Sequence, residues 1–295
     1  EAEREKRAKI INAEGESHEV VTDTKKKKSG LLSSKTTVTH DDVSQTYAVG
    51  TSLSGDNVHL IAGNDLTATA AKVEADGNIA LSAGHDVNLL AGQDVYDESH
   101  GSATKRSGMT RGLLPTDWNY ETQARKNLDT SEDRVAVGTT ISGDSVTITA
   151  NHDVTTQAAQ IAGTHDVTLA AGHDLIIGTG LSTHAEGHEQ SVSTSGFIQN
   201  GLSVTIGNQK QKSTLDVTQI DSTGSLIGST DGRVTLAAGQ DVHITGSDVL
   251  SHTGTSIIGQ NVPSAALIQD STMSGNTNND GFGGGLWVGY TGTVQ

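Results

Sequence analysis

The residues with types suited to chemistry are histidines and carboxylates, 12 and 35 of them in 295 positions. His85, His152 and His173 each precede an aspartate in short turns that read AGHDV, ANHDV and AGHDL. A His-Asp pair can orient an imidazole for proton transfer, or offer nitrogen and oxygen to a metal ion. At the equivalent position, however, the chain places Asn64, Gln93 and Gln240. A position that accepts Asn, Gln and His is selected for corner hydrogen bonding, so coordination is not expected there. His184 and His188 flank Glu186 at a spacing of four, which gathers side chains only on a helix, and this stretch alternates like a strand. Asp65, Asp86, Asp94, Asp153, Asp166, Asp174 and Asp241 recur at spacings of 8, 13 and 21, not in the nonapeptide rhythm of calcium-binding rolls. They read as solvated turn residues bonded to the local backbone. Carbohydrate cleavage needs two convergent carboxylates, usually beside aromatic rings. Only Trp118 and Tyr120, near Arg111 and Arg125, approach such a cluster. With no cysteine, thiolate sites and disulfides are excluded. The expectation is a protein that is not an enzyme, with no catalytic, cofactor-binding or metal residues and no cofactor.

What positions these corners is a repeat. Residues 49–66 and 137–154 align without gaps at an offset of 88, with nine of 18 positions identical. GSTDGRVTLAAGQDV (228–242) is a third copy of the ending. A Ser-Gly-apolar element recurs at Ser29, Ser107 and Ser195, with Asp280 in the fourth place. These points divide the chain into the charged end of a preceding repeat (1–28), unit 1 (29–106), unit 2 (107–194), unit 3 (195–279) and the start of another (280–295). Inside the units, Val58 to Ile79, Leu66 to Val87, Val146 to Val167 and Val154 to Leu175 are each 21 apart, and Val73 to Val95 is 22. Three short alternating strands per 21 residues predict an all-β, right-handed parallel β-helix, each turn advancing one strand spacing of about 4.8 Å. Val58, Ile79, Val87, Val146, Val167 and Val234 should face inward.

Residues 97–134 and 182–225 break the beat and read as lateral β-hairpin excursions, each opened by the Ser-Gly-apolar element. Asn200-Gly201 is the turn signal of the second. They are expected to pack along the helix. Lys25 to Lys28 read as a solvated loop, and residues 1–13 as either a short charged helix or the tail of an earlier unit.

Residues 1–28 hold eight Lys/Arg and seven Asp/Glu, which leaves the rest at 11 against 28 within a total of −16. So acidic a body, with eight aromatics in all, offers neither counterion release nor stacking platforms for nucleic acid. The opening EAEREKRAKI lacks Met and an apolar signal region, so the chain reads as part of something longer.

GHDVNLLAGQDV, AGHDLIIG and SGFIQNGLSVTIGNQKQKS resemble the haemagglutinin repeats of filamentous haemagglutinin-type exoproteins. They are most similar to the second repeat region of contact-dependent growth inhibition effectors. The combination with Ser-Gly-Phe and Thr205 to Lys210 carries the likeness; TRGLLPTDWNY and SSKTTVTHDDV in units 2 and 1 depart from it. The resemblance implies export through an outer-membrane partner by two-partner secretion, from the periplasm to the surface of a Gram-negative cell. It implies a structural, translocational segment helping a C-terminal toxin reach a neighbouring bacterium, with the target's outer membrane or surface as partner. A segment of an adhesive filament is the alternative. Neither nucleic acid nor a small-molecule substrate is implied as a partner.

Overall fold

A computed structural model describes residues 8–10, 17–111, 118–200, 202–259, 266–269, 272–274 and 287–290. Among the described residues every regular element is a strand. They form three seven-stranded parallel sheets and one six-stranded antiparallel sheet.

The parallel part follows from alternation. Val58–Ala62, Leu66–Thr69 and Lys72–Ala75 belong to three different sheets, and Ile79–Ala83 returns to the first of them. The chain keeps this rotation through the body, the order of strands in a parallel β-helix. Val58 pairs with Ile79, Leu66 with Val87, Val146 with Val167 and Val154 with Leu175. The inward column Val58, Ile79, Val146, Val167 and Val234 is buried, as is Val87. Beside it, Leu81, Ile148, Leu169 and Leu236 stack at the next inward position and are also buried. Burying such a side chain stabilises by roughly 1.5–3 kcal/mol. No single turn encloses a core; stacking supplies it.

One expected match is overturned. Val73 pairs with Leu53 and Ile141, not with Val95. Val95 lies in the antiparallel sheet, opposite Thr46 and Arg134. The reason is an insertion: Ile79 pairs with Val146, 67 positions on, and 67 less 21 leaves 46, the length of 92–137. A period that is local in sequence is interrupted, while the hydrogen-bonded stack closes over the gap.

The insertions are long antiparallel hairpins. The first joins Ser17–Ser29 to Ser33–Thr46, the second Gly92–Arg111 to Trp118–Val137, and the third Gly180–Asn200 to Ser203–Thr223. Neighbouring hairpins pair with each other, so the six strands make one continuous sheet. The arms of the second and third hairpins, 20 and 21 residues, are roughly 70 Å long at about 3.4 Å per residue, and those of the first, 13 and 14 residues, roughly 45 Å. The sheet does not lie along the body as expected; it packs against the body strands little and projects as a fin. Apart from Gly180 at the root, no described residue in it is fully buried. Lys25 to Lys28, expected in a loop, sit on the exposed edge strand Ser17–Ser29.

The two parts grow at the same rate. Two body turns (138–179) separate the second and third hairpins and advance about 9.6 Å; a hairpin supplies two strands, also about 9.6 Å. That equality lets one uninterrupted fin follow the body.

The junctions are built from small residues. Gly138 follows the second hairpin, and a Cβ there would stand 1.7 Å from the carbonyl oxygen of Ala158, which itself has φ of 49°. Gly50 meets Ala70 (φ 47°) in the same way. Thr139, fully buried beside this corner, accepts from the Ala71 amide, and Ser225 does the same for Ala159 after the third hairpin.

The Ser-Gly-apolar element lies at the far ends of the hairpins, not at their openings: Gly108 pairs with Ser33 and Gly196 with Glu121. Gly196 is required because a Cβ would stand 2.2 Å from the Tyr120 carbonyl of the neighbouring hairpin. The third hairpin's register pairs Asn200 with Ser203, where a turn centred on Asn200-Gly201 would pair Gln199 with Leu202. Ala8–Ile10 pairs in parallel with Leu66–Ala68, placing it in a body turn and not a helix. The rest of 1–13, and the element at Asp280, lie outside the described residues.

Candidate functional site: a corner ladder and a charged fin

At one corner of the body, an aspartate precedes five of the seven strands of the sheet that holds Leu66–Thr69. Asp65, Asp86, Asp153, Asp174 and Asp241 stack turn upon turn. The amide of each donates to the Oδ1 of the one before, at 3.3, 3.1, 2.9 and 3.1 Å. The bonding is therefore between turns rather than local. One residue earlier, Asn64, His85, His152, His173 and Gln240 form a parallel column, linked by backbone bonds of 2.8 to 3.0 Å.

Three histidines stand consecutively in that column. Their rings stack with centroids 4.7 and 4.8 Å apart. Each Nδ1 faces two carboxylates: His85 faces Asp65 and Asp86 at 3.2 and 3.0 Å, His152 faces Asp86 and Asp153 at 3.0 and 3.3 Å, and His173 faces Asp153 and Asp174 at 3.2 Å each. Partial burial pushes Asp86 upward, but the Asp153 amide, the His152 ring and the charges of His85 and His152 together hold it below the ordinary carboxylate range.

Three residues grouped with this corner by sequence leave it. Gln93 and Asp94 enter the second hairpin, where Asp94 accepts from the Ala48 amide at 2.7 Å. Asp166 belongs to the corner before the sheet that holds Val58–Ala62 and accepts from the Arg233 amide at 2.9 Å.

On the fin, imidazoles bridge hairpins. Register places Asp41, His100, Asp129 and His188 in one row across four strands. His100 donates to Asp41 of the first hairpin at 2.9 Å and also meets Glu98. His184 meets Asp133 of the second hairpin and, at 3.1 Å, Glu186. His188 meets Asp129. Hydrogen bonds to those carboxylates raise His100 and His184 above the ordinary imidazole value, and the bond to Asp23 raises His40. A shallow depression of about 240 Å³ on this face is lined by Glu98, His100, Asp129, Glu186 and His188. His184 and His188 thus meet partners across strands, where their spacing along the chain gave no signal.

Further out the chemistry changes. Of 19 Lys and Arg, Lys25 to Lys28, Lys35, Lys105, Arg106, Arg111, Arg125, Lys126, Lys210 and Lys212 lie in the distal part of the fin. In the described parallel body, Lys72 and Arg233 are the cations outside Ala8–Ile10. Beyond the basic belt, Leu31 and Ile206 are 99% and 83% exposed, and Leu32, Trp118, Tyr120, Leu202 and Val204 are exposed as well. Tyr120 stacks on Phe197 with centroids 6.1 Å apart, and Arg111 pairs with Trp118 in the ladder, which places Trp118 and Tyr120 at the far end of the second hairpin.

A body of stacked repeats with apolar columns inside and asparagine, histidine and aspartate corners is the architecture of a repeat filament. The chain belongs to the hemagglutinin repeat family, which it matches over residues 32–117 and 120–279. It is 30% identical over 199 residues to the "tRNA nuclease CdiA-2" of Burkholderia pseudomallei (strain 1026b), covering 67% of this chain and 6% of that one. It is 32% identical over 217 residues to the "16S rRNA endonuclease CdiA" of Enterobacter cloacae, covering 71% and 6%. It is 28% identical over 300 residues to a "tRNA nuclease CdiA" of Burkholderia pseudomallei, covering 90% and 22%. The chain thus spans a small fraction of these relatives' length, and no solved structure gives a significant match.

Proposed function

We propose that this chain is a structural and translocational segment of a secreted filamentous effector of contact-dependent growth inhibition. It forms a right-handed parallel β-helix of about 21 residues per turn, with the hairpins as lateral excursions. Its role is to help deliver a toxin carried elsewhere in the same protein. The nuclease chemistry in the relatives' names is not assigned to this chain, whose match covers 6% of each of the first two relatives. Export through an outer-membrane partner and display at the surface of a Gram-negative cell follow from the same family reading.

The observation that carries the delivery role is the polarity of the fin. A spacer needs only the body. The fin adds a long arm whose root holds His-carboxylate pairs, whose distal part holds a basic belt, and whose tips carry exposed apolar side chains beyond that belt, in addition to those such as Val20, Leu215 and Ile220 nearer the root. Cations next to apolar side chains suit a surface of anionic lipid headgroups, with attraction from the belt and burial at the tips. The target's outer membrane is the surface this reading assigns to them.

The test uses the full-length effector with Lys25, Lys27, Lys105, Arg106, Lys210 and Lys212 changed to Glu, and scores killing of target cells separately from attachment to them. Killing that falls while attachment persists supports delivery. Loss of attachment and killing together favours the adhesive filament. Unchanged killing removes the fin from the mechanism.

A further inference from the structure

We propose that the corner ladder at His85, His152 and His173 is a binding site for one divalent transition-metal ion of the zinc, nickel or cobalt type. Two overlapping triads offer ligands: His85, Asp86 and His152, and His152, Asp153 and His173, with the ligand atoms of each triad within 4.8 Å of one another. Asp86 faces His85 through Oδ2 and His152 through Oδ1, each at 3.0 Å. Asp153 faces His152 through Oδ2 at 3.3 Å and His173 through Oδ1 at 3.2 Å, so each carboxylate would meet the ion with both oxygens. Those separations are the edge lengths of a coordination shell: ligands bound at about 2.1 Å stand roughly 3.0–3.4 Å apart at octahedral or tetrahedral angles. The carboxylate-imidazole edges are therefore already set at metal-binding distances. The two imidazoles of a triad must tilt together, to no more than about 4.2 Å between nitrogens. Their side chains, 36–50% exposed, are free to do so.

The donor set selects the ion. Two imidazole nitrogens and a carboxylate suit borderline ions such as zinc, nickel or cobalt, whereas calcium and magnesium require shells of six or more oxygens. Asn64 and Gln240 end the column, which confines the site to the three central turns. These two residues count against coordination when the corner is read from sequence; in the folded chain they are caps above and below an unbroken run of histidines. A bound ion ties together turns that are 67 residues apart at His85 and His152 and 21 apart at His152 and His173.

Because both triads use His152, one ion binds at a time, and the substitutions have a distinctive pattern. Zinc titration of the 295-residue chain by calorimetry, with cobalt as a spectroscopic probe, should give saturable one-to-one binding and a rise in melting temperature. His85→Asn or His173→Asn leaves one triad intact and should retain one-to-one binding, with affinity reduced about twofold. His152→Asn, and His85→Asn with His173→Asn, should each abolish it. Asn already occupies this column at residue 64, and circular dichroism verifies that each variant keeps its fold. His100→Asn with His184→Asn, on the fin, should leave binding unchanged. Absence of saturable binding, survival of binding in His152→Asn, or its loss only in the fin variant overturns the proposal.

Discussion

Removing residues 159–179 takes out one 21-residue turn between the second and third hairpins and joins Ala158 to Gly180. In the body the loss is mild at the join, since Gln157 pairs with Gly178 and successive turns superpose. In the fin it is severe. One turn now advances about 4.8 Å where a two-stranded hairpin needs about 9.6 Å, so the third hairpin arrives one full strand width too early. The 16 register pairs from Asn119↔Ile198 to Arg134↔Thr183 then have no common register. At roughly 0.5–1.5 kcal/mol net per backbone hydrogen bond, that interface is far larger than any local adjustment restores. Removing 92–179 instead, 88 residues, takes out two turns and one hairpin together, and keeps the match. The third hairpin should then pair with the first, setting His188 opposite Asp41 in place of His100. Hydrogen exchange read by mass spectrometry distinguishes the two deletions. The 21-residue deletion should lose protection across 119–134 and 183–198 while the body keeps its own. The 88-residue deletion should retain protection in 183–198. Equal protection of the fin in both deletions would refute the matched-growth argument.

Placing Asp at Val167, fully buried in the inward column, leaves an uncompensated charge in the stack. A loss of about 3–5 kcal/mol is expected in denaturant unfolding, and a loss under 1 kcal/mol would show that the column is not a core. Gly138→Ala drives a Cβ against the Ala158 carbonyl, while a Cβ on Gly207 meets nothing within 4 Å. The first should cost at least the 1–3 kcal/mol typical of overpacking and the second under about 0.5 kcal/mol, by thermal unfolding. The fin should also respond to pH. His100 and His184 are raised by carboxylates of the adjoining hairpin, so their contribution is complete below the ordinary imidazole value and fades as pH rises through their folded values. Exchange from 92–111 and 180–200, corrected for intrinsic rates, should accelerate as pH rises past the ordinary imidazole value and through the raised folded values. His100→Gln with His184→Gln should abolish that dependence, and its persistence would assign it to other groups.

Periodicity makes the body legible in the sequence. Side-chain alternation in a strand is a local property, and 21-residue spacing repeats it often enough to show that Val58, Ile79, Val146 and Val167 share one face. The break in the beat at 97–134 and 182–225 is legible too, but where each antiparallel strand begins and ends is not. Whether Val95 continues a column or starts an arm depends on which strand donates to it across space, and both choices satisfy the same alternation. For the same reason Gln93 and His85 look equivalent in sequence, and Ser107 looks like the opening of a hairpin whose far end it forms. The tertiary structure decided three things: that His152 lies on His85, that hairpins 88 residues apart merge into one sheet, and that cations scattered over 25–212 converge on its distal part. Each is a contact between turns separated by an insertion, and the sequence of either turn carries no mark of how much chain the hydrogen-bonded stack passes over.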